Sequence, residues 1–312
     1  MNARSDSLTR TKVTRPSRAG DRLFAGIATG AGVTILALLA GVAIFLVMKS
    51  WPALTARADD LPGNQNFAHY VWPLAFGTLL SAGIAIVIAV PLAVGVALFI
   101  THFAPRRLAS TLSALVDLLA AIPSVIYGLW GIAVLGPKSV GLQRWLYDHL
   151  AFLPFFKGPP SATGRTMLVV GVVLAIMILP IISAIVREVF AQAPRSLKEG
   201  SLALGATRWE MIRMVVLPFG RPAIISATML GLGRALGETM AVAIILSVSG
   251  IVTFNVVSPS NPSTIAANIA LNFPESSGIK VNALIASGLV LFGITLVVNM
   301  GARLVIARGV RS

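Results

Sequence analysis

The chain has 312 residues, 56% of them hydrophobic and only 12% charged, with a mean hydropathy of +0.86. A soluble domain carries roughly 25% charged residues, and half that share does not clothe a water-soluble globule of this size. The charge is also lopsided, 25 basic residues against 11 acidic for a formal +14. That balance raises nucleic acid as a partner, but the hydropathy points first to lipid. With no cysteine, disulfides, thiol catalysis, iron–sulfur clusters and cysteine zinc sites are excluded together. The three histidines, His69, His102 and His149, are scattered, and no phosphate-cradling G-x-x-x-x-G-K-[ST] occurs. The expectation is a membrane chain that holds no metal, cofactor or nucleotide of its own.

In chain order, residues 1–22 read as a disordered basic segment, rich in Ser, Thr and Arg. Six apolar stretches follow, at about 24–48, 73–101, 111–136, 166–187, 222–250 and 282–306. Each is long enough to cross a hydrocarbon core of ~30 Å at 1.5 Å per residue. The first is longer than the 7–15 apolar residues of a cleavable signal core, so it reads as a retained span over 23–50. The other five form a helical core over 72–308. Pro91, Pro123 and Pro180 are expected to bend their helices. Between spans, Leu142, Trp145, Leu146 and Leu150 recur at helical spacing and predict a short helix on the outer face. Asn261-Pro262 reads as an N-cap followed by proline, opening a second short helix over 262–272.

With the N-terminus inside, 17 basic residues fall in inside segments and 7 in outside ones, leaving Arg234 within a span. Such a split follows the positive-inside rule and puts both termini in the cytoplasm. The inside loop 188–221 has internal order. Ser196-Leu197-Lys198-Glu199 reads as a capping box, and Gly205 suits the left-handed position that closes a helix. Thr207-Arg208-Trp209-Glu210 reads as a second capping box, opening a helix that stops before Pro218. Helix, glycine turn and helix make a compact cytoplasmic knob, a natural docking surface.

Three ionisable residues fall inside the predicted spans: Asp117, Arg234 and Glu238. Each costs about 2.5–3.5 kcal/mol at a helix centre on insertion scales. Arg234 lies twelve residues past Pro222, about 18 Å into its span. Glu238, one turn further, is expected on the same face within ion-pair reach. Gly233 and Gly237 form a G-x-x-x-G that permits close helix approach. Two readings stand: a structural ion pair between packed helices, or an arginine lining an anion path, for which a planar guanidinium suits phosphate.

Specific strings narrow the choice. Glu199-Gly200-Ser201, three residues, Gly205, nine residues and Val215-Val216-Leu217-Pro218 resemble the E-A-A-x(3)-G-x(9)-I-x-L-P motif of ATP-binding-cassette (ABC) importer permeases. Gly200-Ser201 stands where that motif has two alanines. Gly233-Arg234-Ala235-Leu236-Gly237-Glu238-Thr239-Met240-Ala241 and Ala120-Ala121-Ile122-Pro123-Ser124-Val125-Ile126-Tyr127-Gly128-Leu129-Trp130-Gly131 resemble signatures of the phosphate-importer permease family, and Met240-Ala241 resembles its PstC branch. The resemblance implies an all-α polytopic membrane protein with the six-helix fold of type I ABC importer permeases. It implies a coupling helix that docks an ATPase through Glu199, Gly200, Ser201, Gly205, Trp209, Leu217 and Pro218. It also implies a phosphate path at Arg234, Glu238 and Thr239, with Asp117, Gly233 and Gly237 serving the path or helix packing. The implied partners are a second permease subunit, two ATPase subunits that use ATP and Mg, an extracytoplasmic phosphate-binding protein and membrane lipid, with no nucleic acid. The chain itself would be a non-catalytic subunit. Competing readings are a permease for another oxyanion, a self-sufficient ion-coupled carrier, and a structural membrane scaffold. A carrier has no reason to present the cytoplasmic knob.

Overall fold

A computed structural model describes residues 18–309, with side chains from Gly20 to Leu304. The chain divides into two units, residues 1–48 and 49–312. The expected disordered segment lies outside the described residues except for 18–22, which already belong to helix α1 (Arg18–Leu54). Everything described of the first unit is the N-terminal part of that helix.

The second unit holds α2 (Phe67–Leu98), α3 (Arg106–Ala120), α4 (Ser124–Trp130), α5 (Gly136–Leu150), α6 (Met167–Ala191) and α7 (Arg195–Ala203). It continues with α8 (Arg208–Met211), α9 (Leu217–Leu236), α10 (Met240–Ile245), α11 (Ile265–Asn272) and α12 (Ile279–Gly309). Widened π turns at Phe99–Phe103, Gly131–Leu135 and Ile212–Val216 extend or join neighbouring helices. Six helical segments among the described residues are long and apolar enough to cross a membrane: Gly20–Leu54, Phe67–Phe103, Ser124–Leu150, Met167–Ala191, Arg208–Leu236 and Ile279–Leu304.

Helix α6 is the centre of the second unit, packed against α2, α3 and α9. Small residues make this possible. Along α2, Ala82, Ala85, Ala89, Ala93 and Ala97 recur every three or four residues and are all buried. Gly171 of α6 meets Ile84 so closely that a Cβ would collide with it. On α9 the buried face is Gly220, Ala227, Gly231 and Ala235, and a Cβ on Gly231 would stand 2.9 Å from Ile182 Cδ1. Lipid already solvates apolar side chains, so helices in a bilayer gain from close backbone approach, which small residues permit. Helix α11 packs on the early part of α2 and of α12. There the Ile265 N–H donates to Thr78 Oγ1 at 3.0 Å and Asn268 Nδ2 to the Tyr70 hydroxyl at 2.7 Å.

The structure redraws two of the spans. The stretch 111–136 is not one helix, because the chain breaks at Ala121–Pro123. Pro123 occupies the N-cap of α4, starting a helix instead of bending one. Helix α3, 15 residues or about 22 Å long, is too short to cross and carries one polar face. Asp117 therefore lies outside the spanning segments. The third crossing segment runs from α4 through α5 and takes in the helix expected on the outer face. The fifth starts at Arg208 and ends at Leu236, not at 250. It passes through Pro218, expected to stop it, because the π turn at Ile212–Val216 widens the backbone just before the ring. In a regular α register that ring would meet the carbonyl four residues back.

Three caps are also settled. Helix α7 starts at Arg195 after Pro194, so Ser196 is inside the helix and caps nothing. The Lys198 N–H donates to the Pro194 carbonyl at 3.3 Å, setting the start two residues earlier. The second box forms: Thr207 Oγ1 accepts from the Glu210 N–H at 3.3 Å, and Glu210 Oε2 accepts from the Thr207 N–H at 2.8 Å. Helix α11 is capped by Thr264, whose Oγ1 accepts from the Ala267 N–H, and not by Asn261. That asparagine is fully buried; its Oδ1 accepts from the Met167 N–H at 3.2 Å and its Nδ2 donates to the Ser258 carbonyl at 2.8 Å. It ties the connection between α10 and α11 to the start of α6.

Candidate functional site

Helix α9 ends where glycine removes helix propensity, at Gly237. Its N–H donates to the Gly233 carbonyl at 3.2 Å, and the chain then restarts as α10. Glu238, 8% exposed, sets that restart: its Oε1 accepts from the Ala241 N–H at 3.1 Å. Thr239 lies half-buried between the two helices, its carbonyl accepting from the Ala243 N–H at 2.9 Å. The far end of α10 is held by Arg165, whose Nε donates to the Ile245 carbonyl at 3.1 Å and Nη2 to that of Ile244 at 3.4 Å. Helix α10 is thus pinned at both ends, by a carboxylate at a free N–H and a guanidinium at free carbonyls, the polarity a helix dipole favours.

This geometry overturns the Arg234–Glu238 pair. The one-turn spacing exists only in a continuous helix, and the helix stops between them. Among the described residues the sole ion pair is Arg187–Asp117, and Arg234 has neither ion-pair nor hydrogen-bond partner. The expected close approach at Gly233 and Gly237 fails as well. A Cβ on Gly233 would meet nothing within 4 Å, and one on Gly237 only the backbone of its own helix. Helix contact runs instead through Gly231, on the other face.

Gly233 and Arg234 open into a cavity of about 680 Å³ between α6, α9 and α12. Its wall on α9 is Ser226, Met229, Leu230, Gly233 and Arg234; on α12 it is Asn299, Ala302 and Arg303; Ile181 of α6 closes the back. No carboxylate lines it. Gly231 packs on Ile178 and Ile182, midway along α6, which puts Arg234 about one turn from the middle of the central helix. A cavity of this kind presents charge and hydrogen-bond donors to an anion on an otherwise apolar floor. Glu238 is not among its lining residues.

Asp117 stands elsewhere. On α3 it accepts from Arg187 Nη2 of α6 at 3.2 and 3.4 Å, fastening the short amphipathic helix to the central one. The knob holds the remaining candidates. Gly205, at φ +89°, closes α7 in a left-handed turn: its N–H donates to the Leu202 carbonyl at 3.0 Å and that of Ala206 to Ser201 at 3.1 Å. Glu199, Gly200 and Ser201 lie on α7, with the Ser201 hydroxyl on the Lys198 carbonyl at 2.8 Å. A Cβ at Gly200 would meet nothing within 4 Å, so this position has room for alanine. Leu197, Leu204, Trp209 and Met214 are exposed on the knob, Leu204 to 91%. Leu217 and Pro218 sit where the knob becomes α9.

Comparison with known proteins follows the same lines. A family described as binding-protein-dependent transport system inner membrane component matches residues 89–311. The chain belongs to this family. Among its relatives is "Phosphate transport system permease protein PstC 2" of Mycobacterium tuberculosis, 46% identical over 93% of this chain and 92% of the relative. "Phosphate transport system permease protein PstC" of Haemophilus influenzae is 41% identical over 88% and 89%. A crystal structure of a bacterial ABC transporter that imports the polysaccharide alginate superposes with a TM-score of 0.57 at 18% identity, over 92% of this chain and 99% of that one. The MetNI methionine ABC transporter gives 0.52 at 17%, over 77% and 94%. The fold is that of ABC importer permeases, and the chain is a multi-pass membrane transport component.

Two residues at the site escaped the sequence reading. Arg303 is one of the 17 inside basic residues, and nothing in its sequence neighbourhood marks it otherwise. Arg165 is one of the seven basic residues that the sequence puts outside, and its partners lie 79 and 80 residues away. A basic residue just before an apolar span is the only local signal it gives.

Proposed function

We propose that this chain is the transmembrane permease subunit of an ATP-driven phosphate importer, forming half of the translocation path. The observation that carries the reading is the Arg234 cavity, a carboxylate-free recess near the middle of the central helix. The phosphate-permease names of relatives 38–46% identical over most of the chain support it. The partners are a second permease of the PstA type, two ATPase subunits of the PstB type docked on the α7–α8 knob, and an extracytoplasmic binding protein of the PstS type. The chain is non-catalytic and binds no cofactor; ATP and Mg are consumed by the ATPases. Both termini face the cytoplasm of a bacterial inner membrane, a placement that the 17 to 7 basic split supports.

Arg234 supplies the attraction that offsets dehydration of the anion. A guanidinium free of internal partners presents its N–H fork without first breaking a bond. Glu238 acts by fixing the break and, with it, the direction in which Arg234 leaves α9. The test is phosphate uptake by the complete importer in vesicles, with and without ATP. Arg234→Ala abolishes uptake while the four kinds of subunit still co-purify. Uptake without ATP, or full uptake by the variant, overturns the reading.

A further inference from the structure

The cavity holds a second cation that the phosphate reading does not use. Arg303 lines it from α12, one helical turn beyond Asn299, so the two share a face. Opposite stand Ser226 and Arg234 on one stripe of α9, eight residues or about 12 Å apart along the axis. Helices α9 and α12 run in opposite directions: α12 starts beside α11, at the end of the bundle away from the knob, while α9 starts at the knob. From Arg234 toward the knob the recess therefore passes Asn299 and Ser226 and reaches Arg303. Arg303 has no hydrogen-bond or ion-pair partner among the described residues, and no acidic side chain shares the cavity to neutralise it.

We infer that Arg303 is a second anion-binding residue of the path, which takes the transported oxyanion from Arg234 through the hydroxyl of Ser226 and the amide of Asn299. Two separated cations with neutral donors between them suit a permeating anion better than one deep site. Each step exchanges one guanidinium contact for another, so the ion is bound at every point and trapped at none. A basic residue that only anchored a helix end would need neither a shared cavity nor those two donors facing it. The inference rests on the anion-path reading of Arg234, and its test separates the two.

The absence of cysteine makes the test direct. In the complete importer with cysteine-free partners, Asn299→Cys places one thiol of this chain in the cavity. The ratio of its reaction rates with negatively and positively charged methanethiosulfonates reads the local potential. Adding Arg303→Gln lowers that ratio roughly tenfold or more, since a unit charge one turn away is lost at low effective dielectric. Arg303→Lys leaves it within about twofold, because charge is kept. In the cysteine-free parent, Arg303→Gln lowers phosphate uptake by roughly tenfold, the scale of one charged hydrogen bond, with subunit assembly and ATP hydrolysis retained. An unchanged thiol ratio, or unchanged uptake, overturns the role of Arg303. If the parent importer moves a different anion, the phosphate reading falls, while a loss of that anion's uptake in Arg303→Gln upholds this one.

Discussion

Glu238 distinguishes two ways a buried carboxylate can serve a transport path. In the structure its Oε1 accepts the N–H of Ala241, a residue 1% exposed, and it makes no ion pair with Arg234. Glu238→Ala strands that N–H away from water. An unsatisfied buried donor costs about 1–3 kcal/mol, so the ordered break between α9 and α10 becomes roughly 5- to 150-fold less populated relative to its frayed alternatives. Glu238→Gln keeps an oxygen in the same place and gives up only the charge on the acceptor, a loss of about 1 kcal/mol. Phosphate uptake by the reconstituted importer should therefore fall steeply in the alanine variant and modestly in the glutamine variant, with the preference for phosphate over sulfate unchanged in the latter. The midpoint of thermal unfolding should follow the same order. Equal loss of uptake in both variants, or a glutamine variant that admits sulfate, would refute the capping role and place the carboxylate in contact with the anion.

Two further predictions address the same region. Gly231→Ala puts a methyl 2.9 Å from Ile182 Cδ1 and costs about 1–3 kcal/mol of overpacking; Gly233→Ala meets nothing and gains up to about 1 kcal/mol of helix propensity. The same propensity gain offsets part of the Gly231 cost, so the Gly231→Ala complex should unfold at a lower temperature than the Gly233→Ala complex, and the reverse order would contradict the assigned contact face. Arg165→Gln releases the carbonyls of Ile244 and Ile245 and should lower both thermal stability and uptake, while Arg165→Lys restores part of each, since a single ammonium lacks the fork that spans two carbonyls; full recovery by lysine would show that charge alone suffices there.

Composition and spacing located the membrane segments because hydropathy is additive along the chain and needs no partner. The Thr207–Glu210 box and the Gly205 turn were legible for a related reason: each is closed within a few residues. The failures share the opposite property. The stretch 111–136 is apolar throughout in one dimension, and only the packing of α4 on α10, with Gly128 pressed against Ala241, decides that it breaks at Pro123. The Arg234–Glu238 pair rested on a helix continuing through Gly237, yet the Ala241 N–H offered Glu238 a better use. Asp117 was assigned to a span because α3 and α4 read as one. Its partner Arg187 lies 70 residues away, and in the sequence it is only one of the 17 inside basic residues.

The break at Gly237 also explains how the knob and the cavity can act as one machine. From Arg208 to Leu236 the backbone is continuous helix, 29 residues or about 43 Å, with the capped start of the knob at one end and Arg234 in the last turn of the other. A helix transmits axial displacement with little loss because its hydrogen bonds lie along the axis. The knob is therefore linked through one helix to Arg234, with two irregular points between them, the π turn at Ile212–Val216 and Pro222 inside α9. The inward side chains of the turn, Ile212 and Val216, are fully buried, so the turn is clamped against the core and passes motion on to α9. What lies beyond Gly237 need not follow. Helix α10 is fixed to α4 and held by Arg165, so a shift of the rod along its axis moves Arg234 past Ile181 of α6 and Asn299 and Arg303 of α12 without dragging α10. An uninterrupted helix over 222–250 would have tied the rod to the segment that α4 and Arg165 hold in place, and those contacts would have resisted its movement.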